Sequence, residues 1–292
     1  MHYNCKKFPN YHHNIKNMKL HLLITCATAV LVVACSNKSK TDDTETPGQD
    51  SLQTDSVIAE QPKSELQIEV IHFRDSVKIA KEYSIYDVKL RIPAAGSVVG
   101  DSIRRHICQL LNYDVTMDMR KVFAKAAKRY FSKQREEITE DDEWAREHPW
   151  EIDYEINIDT ITPHYVSLIF SGYDYRGGAH GMPWNYGITF MKSNGHAMTW
   201  NDFFTNKELV RPFISEYLDQ DIIENVAEYC NLPEGSDPPA PSLDPWLHGD
   251  TVVINYTAYE IGPYAIGMPS AYIPAKKVKR ILKQKVMSLL ED

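Results

Sequence analysis

The residues best placed to do chemistry lie in one glycine-rich stretch, "YDYRGGAHGMPWNYG", Tyr173 to Gly187. His180 stands there among glycines and tyrosines, and its imidazole has three conceivable uses. A zinc ligand needs two or three further donors spaced to share one face. The next histidine along is His196, and no His-Glu-x-x-His occurs, so no metal is expected. A catalytic base needs a serine or cysteine nucleophile, or a carboxylate partner. No Gly-x-Ser-x-Gly is present, and Asp174 and Asp202 are the acids that a hydrolase built on His180 would recruit. The third use is a hydrogen-bonding ring inside a tight connection. The residues favour this one, because Gly177 and Gly178 supply the positive φ that other residues resist, and Gly181 and Gly187 extend that freedom. A phosphate cradle needs a helix after the glycines. Here an aromatic strand follows, and no cofactor is expected.

The elements that must hold this turn are legible as alternations. In "YSIYDVKLRIP" Tyr86, Val88, Leu90 and Ile92 alternate with Asp87, Lys89 and Arg91, and Pro93 closes the strand; "LQIEVIHF" precedes it. A period of two with one polar face predicts half-buried antiparallel strands. "WEIDYEINIDTI", "HYVSLIFSGY" and "WNYGITFM" continue in the same manner, with Asn-Gly in "KSNGHAM" marking a hairpin turn. Between the two strand groups, Ile103, Ile107, Leu110 and Leu111 predict a helix capped at Asp101. Val115, Met119, Val122, Phe123, Ala126 and Tyr130 predict a second. The charged run "REEITEDDEWAREHPW" reads as a solvated loop or helix end. From Thr205 to Cys230 the pattern predicts one helix, with Pro212 discordant through a kink or a late start. "DTVVINYTAYEIG" returns to strand, and the chain closes on an amphipathic helix. Its inner face is Val278, Ile281, Leu282, Val286, Leu289 and Leu290, and its lysines and Arg280 face out. Clustered strands and clustered helices predict an α+β fold, antiparallel sheets with helices packed on them in two subregions of ββαα and βββα type. The expected domain limits are 66–145 and 146–292.

The N-terminal part predicts an address. "MKLHLLITCATAVLVVAC" runs from Met18 through a basic start and an apolar stretch to small Ala34 before Cys35, the order of a secretory signal. Residues 1–34 therefore read as a signal peptide whose true start is Met18, and 35–65 as a lipidated cysteine followed by a polar tether. Val32-Val33-Ala34-Cys35 resembles the bacterial lipobox, which implies a lipid anchor on Cys35 and a place in the cell envelope, on its periplasmic face or outer surface. Loss of residues 1–34 leaves 28 basic against 40 acidic groups, a net charge of −12. That balance excludes nucleic acid as a partner and favours a cationic protein. Cys108 and Cys230 remain in the mature chain, and both read as buried apolar groups rather than a disulfide.

Two separated motifs carry a family resemblance. Tyr175 to Gly181, Tyr-x-Gly-Gly-Ala-His-Gly, is paired with Tyr259 to Gly267, Tyr-x-Ile-x-Pro-Tyr-x-x-Gly. Together they resemble the extracytoplasmic region of the RsiV-like proteins, the C-terminal family known as domain of unknown function 3298. "YDVKLRIPAAGSVVGDSIRRHICQLL" is similar to the companion N-terminal family numbered 4163. The resemblance implies a motif face of Tyr175, Gly177, Gly178, His180, Gly181, Tyr259, Pro263, Tyr264 and Gly267, with His180 packed against the Tyr259–Tyr264 segment. Relatives include anti-sigma factors that bind lysozyme and proteins attached to peptidoglycan deacetylases. This chain shows neither a sigma-binding segment nor a deacetylase domain, so the expected role is a binding protein, not an enzyme, for a lysozyme-like protein or peptidoglycan.

Overall fold

The computed structural model of the chain describes residues 66–79, 82–138 and 147–291. The expected signal peptide, Cys35 and the tether lie outside the described residues, as does most of the charged run after Ile138. Residues 65–292 form one compact unit. Among the described residues no helix is long and apolar enough to cross a membrane.

Strands β1 (Ile68–Ile79) and β2 (Glu82–Pro93) form a long antiparallel hairpin. The alternation in β2 is realised: Tyr86, Val88, Leu90 and Ile92 are buried, the three aliphatic side chains each worth about 1.5–3 kcal/mol when taken from water. Asp87 is also buried, on the other face. His72 and Arg74 hold its two oxygens at 2.8 and 3.0 Å, which makes the burial tolerable. Helix α1 (Val98–Leu110) begins earlier than Asp101, because Ser97 Oγ accepts the Gly100 N–H at 3.0 Å and caps it. Asp101 instead accepts from Gly96 N. Gly100 is required by packing, since a Cβ there would stand 2.0 Å from the carbonyl oxygen of Ala94. Helix α2 (Met119–Glu137) is capped by Asp118, so Val115 falls in the linker and is exposed.

The two helices carry the chain across one face of the sheet, and β3 (Glu151–Ile161) then lies parallel to β2, from Ile85↔Glu151 to Arg91↔Asn157. This junction departs from the expected antiparallel pairing. Period-two alternation reads the same in both directions, whereas a parallel neighbour needs a long crossover, which α1 and α2 supply. Strands β4 (Tyr165–Tyr175) and β5 (Met182–Met191) follow antiparallel, giving a five-stranded sheet in the order β1-β2-β3-β4-β5. The sheet therefore runs unbroken across residue 146. Its inner face and the two helices enclose the first core, including Ile103, Phe123, Leu168 and Phe190.

The second core lies beneath a three-stranded antiparallel sheet, β6 (Trp246–His248), β7 (Thr251–Asn255) and β8 (Ser270–Pro274). Short helices cover it: α3 (Trp200–Phe203), α4 (Arg211–Tyr217), α5 (Gln220–Tyr229), α6 (Ala275–Val278) and α7 (Gln284–Met287). The single helix expected from Thr205 is thus divided. A 3-10 turn (Lys207–Val210) leads into α4, where Pro212 sits in the first turn and no N–H is missed, and Asp219 caps α5 anew. The expected C-terminal helix is also interrupted. Leu282 bridges to Phe204 and Lys283 N donates to Phe203 O at 2.8 Å, so the chain leaves helical geometry between α6 and α7. Cys108 and Cys230 both stay as thiols.

The small sheet docks on the outer face of β4 and β5. Leu247 N donates to Thr189 Oγ1 at 2.8 Å, and Thr189 meets Ser167 at 2.9 Å, so these buried hydroxyls are satisfied. A Cβ on Gly187 would lie 2.0 Å from the Trp246 ring. Gly187 is there to admit the indole.

Candidate functional site

The turn joining β4 to β5 begins at Arg176. Its guanidinium is gripped by Asp174, with Nε at 2.9 and 3.0 Å and Nη2 at 2.7 Å, and lies over Trp150 at 5.3 Å from the ring centroid. Gly177 follows with φ +77, the left-handed conformation expected of it. Gly178 does not share it, which corrects that expectation: one left-handed residue suffices to reverse the chain here. Tyr175, the last residue of β4, gives its carbonyl to the Tyr130 hydroxyl at 3.4 Å.

At the end of the turn the backbone of Gly181 is read from both sides. Its N–H donates to the Tyr173 hydroxyl at 2.8 Å, and its carbonyl accepts from the Tyr264 hydroxyl at 3.0 Å and from His180 Nδ1 at 3.1 Å. A Cβ on Gly181 would stand 2.4 Å from the Tyr173 ring, so the close approach requires glycine. A carbonyl can only accept, which puts the His180 proton on Nδ1 and makes Nε2 an acceptor. The Tyr259 hydroxyl donates to that nitrogen at 3.1 Å. The ring of Tyr264 lies on the imidazole with centroids 4.0 Å apart and planes 24° apart, and Tyr259 stands 5.6 Å from Tyr264. Loss of hydration, then the neighbouring phenols of Tyr173 and Tyr259, holds the Tyr264 hydroxyl above its ordinary pKa, so it remains a neutral donor.

The second motif is built to present these rings. Pro263 precedes and Gly267, at φ +68, closes the 3-10 turn that carries Tyr264 (Tyr264–Ile266). Glu260 holds the preceding turn by accepting from Thr257 N at 2.9 Å and Ser242 N at 2.7 Å. Within it Tyr259 adopts φ +67, a conformation that disfavours side chains by about 1–2 kcal/mol. Tyr173 and Tyr259 remain more than a third exposed, and His180 is exposed. The result is a fixed aromatic face open to solvent.

Sequence reasoning named His180, Gly181, Tyr259, Pro263, Tyr264 and Gly267, and the structure brings them together. It missed Tyr173, although two-residue spacing from Tyr175 puts the two on one strand face, and it missed the backbone of Tyr259, for which nothing in the sequence gives a signal. The hydrolase arrangement is not formed. Both ring nitrogens of His180 are engaged, Asp174 is committed to Arg176, and Asp202 accepts from His196 at 2.8 Å and Lys285 at 2.7 Å. Partial burial works to raise the pKa of Asp202, but the Lys285 and His196 hydrogen bonds, with those of Thr199, hold it far below the carboxylate range. Imidazole–carboxylate pairs occur elsewhere, at His72–Asp87 and His248–Asp159. Among the described residues no group of three or more His, Cys, Asp or Glu is placed to hold a metal.

Similarity to known proteins falls on the same elements. Residues 79–183 match the family model described as deacetylase PdaC. The stretch covers β2, both helices, β3, β4 and the glycine-rich turn. Two solved structures share the fold. A member of the domain of unknown function 3298 family from Bacteroides fragilis NCTC 9343 superposes with a TM-score of 0.59 at 14% identity, covering 78% of this chain and 98% of that one. A protein of the same family from Pseudomonas aeruginosa PAO1 gives 0.54 at 16% identity, covering 76% and 96%. No curated protein matches.

Proposed function

We propose that this protein is a lipid-anchored binding module of the bacterial cell envelope, and that its recognition surface is the face formed by Tyr173, His180, Tyr259 and Tyr264. The observation that carries the reading is the His180–Tyr264 stack, fixed at both edges by hydrogen bonds yet open to solvent. Rings held this way lose little freedom when a ligand arrives, so more of the contact energy survives as affinity. Their faces are apolar and their rims carry hydroxyls, the combination that suits a glycan. Peptidoglycan is the ligand we favour. A cationic lysozyme-like protein is the second reading, supported by the net charge of −12 expected for the processed chain, which would steer such a partner to it.

Calorimetry at low salt with soluble muropeptides and with a cationic muramidase tests this. Saturable heat with muropeptides that disappears in Tyr264→Ala supports the glycan reading. Heat only with the muramidase moves the assignment to the second reading, and no heat with either removes both. Anchoring is tested by metabolic labelling with radioactive palmitate, which should be incorporated by the full chain and lost in Cys35→Ser.

A further inference from the structure

A second site lies at the far end of β5 from the aromatic face, between α1 and the turn that follows the strand. A cavity of about 180 Å³ is lined there by Ser102, Arg105, His106, Gln109 and Phe190, with Gly195 and Ala197 opposite. The polar residues fall at i, i+3, i+4 and i+7 of α1, one stripe of that helix. Gly195 brings the turn hard against them: it holds φ +71, and a Cβ would meet Ser102 Oγ at 2.2 Å. The space is below the ~300 Å³ at which sites for drug-sized ligands begin, yet ample for several waters, each needing roughly 10–15 Å³. It suits the end group of a larger molecule.

The lining decides the charge of that group. Arg105 is exposed and permanently cationic, and its Nη2 donates to Ser102 Oγ at 2.6 Å, which holds the guanidinium beside another lining residue. His106 stands edge-on to Phe190 and Phe170, at 5.6 and 6.1 Å between centroids. Its Nε2 is shut inside without a hydrogen-bond partner. The Ser102 hydroxyl, which accepts from Arg105, keeps its own proton to donate. Gln109 adds an amide. Among these lining groups there is no carboxylate, while Phe190, Gly195 and Ala197 form an apolar wall. We infer that this cavity binds a carboxylate on a small apolar residue, such as the free C-terminal end of a short peptide. One guanidinium and neutral donors match a singly charged planar anion. A phosphate dianion would ask for more cationic partners.

The probe is N-acetylalanine, with its N-methylamide as the uncharged analogue, followed through the amide resonances of Gly195 and Ala197 in the intact protein. The expected result is a saturable shift with the acid, at least tenfold weaker with the methylamide, and at least tenfold weaker in Arg105→Gln. Arg105 is a surface side chain, so that variant should fold, and an unchanged amide spectrum elsewhere verifies it. Arg105→Lys should restore part of the affinity. Equal shifts with acid and amide, full binding by Arg105→Gln, or response to inorganic phosphate alone would each overturn the assignment. The readout stands apart from muropeptide binding at Tyr264, so either site can fail without the other.

Discussion

The ring of Tyr264 lies flat on the imidazole of His180, 4.0 Å between centroids, while its hydroxyl reaches past to the carbonyl of Gly181. One side chain thus clamps both the ring and the backbone of the glycine-rich turn. The histidine is oriented by this clamp and by Tyr259, and among the described residues no carboxylate hydrogen-bonds to it as a catalytic base requires.

Tyr259 separates recognition from folding. Replacing it by glycine relieves the left-handed strain but adds chain entropy, so Tyr259→Gly should change the unfolding free energy by no more than about 1 kcal/mol. The same change removes a ring and a hydroxyl from the face, and muropeptide affinity should fall tenfold or more, about 1.4 kcal/mol. Urea melts beside calorimetry check the pair. Affinity that survives would show that the face is not the ligand surface.

The glycines of the turn should rank by environment. Gly181→Ala drives a methyl into Tyr173 and should cost about 1–3 kcal/mol. Gly177→Ala meets a left-handed backbone and should cost about 1 kcal/mol. Gly178 has neither problem, its added Cβ meeting only the His180 carbonyl at 3.7 Å, so Gly178→Ala should lie within about 0.5 kcal/mol of the parent. Urea unfolding midpoints at equal slopes measure the order.

Acid should weaken the fold through His106. Burial lowers its pKa from 6.5 to about 4. The unfolded imidazole therefore takes up a proton at pH values where the folded one does not. Stability is complete above pH 6.5 and is lost as the pH falls toward 4, by up to about 3 kcal/mol. The cause is loss of hydration, the ring being packed edge-on against Phe170 and Phe190, with Arg105 one residue away on α1. Equilibrium melts at pH 7 and 4.5 should show a smaller difference in His106→Phe than in the parent.

A lower window belongs to Asp202. Its folded pKa is depressed, so its contribution is present above the ordinary carboxylate value and is lost as the pH falls below about 4. Lys285→Met removes the cation that ties α7 to α3. It should lower thermal stability at pH 7 and reduce the loss between pH 4 and 2, both readable by calorimetric melting.

Much of this was legible as alternation. The faces of β2 and β3 followed from period two, and the α+β class from the clustering of elements. What escaped detection depends on partners distant in the chain. The parallel seam between β2 and β3 is chosen by the helices that cross between them. The end of α6 is set by a bridge from Leu282 to Phe204. The start of α1 is set by Ser97, a capping residue four positions before the acid that the pattern favoured. At the candidate site Gly177 was readable because glycine advertises a left-handed backbone, Gly178 was over-read for the same reason, and Tyr259 conceals that backbone behind an aromatic ring.

The β2–β3 seam has a consequence for dissecting the protein. A fragment starting at residue 146 would bare one whole margin of β3, and the helices would lose the surface they rest on. The two halves share this ladder, so fusion partners and cleavage sites belong away from the β2–β3 seam.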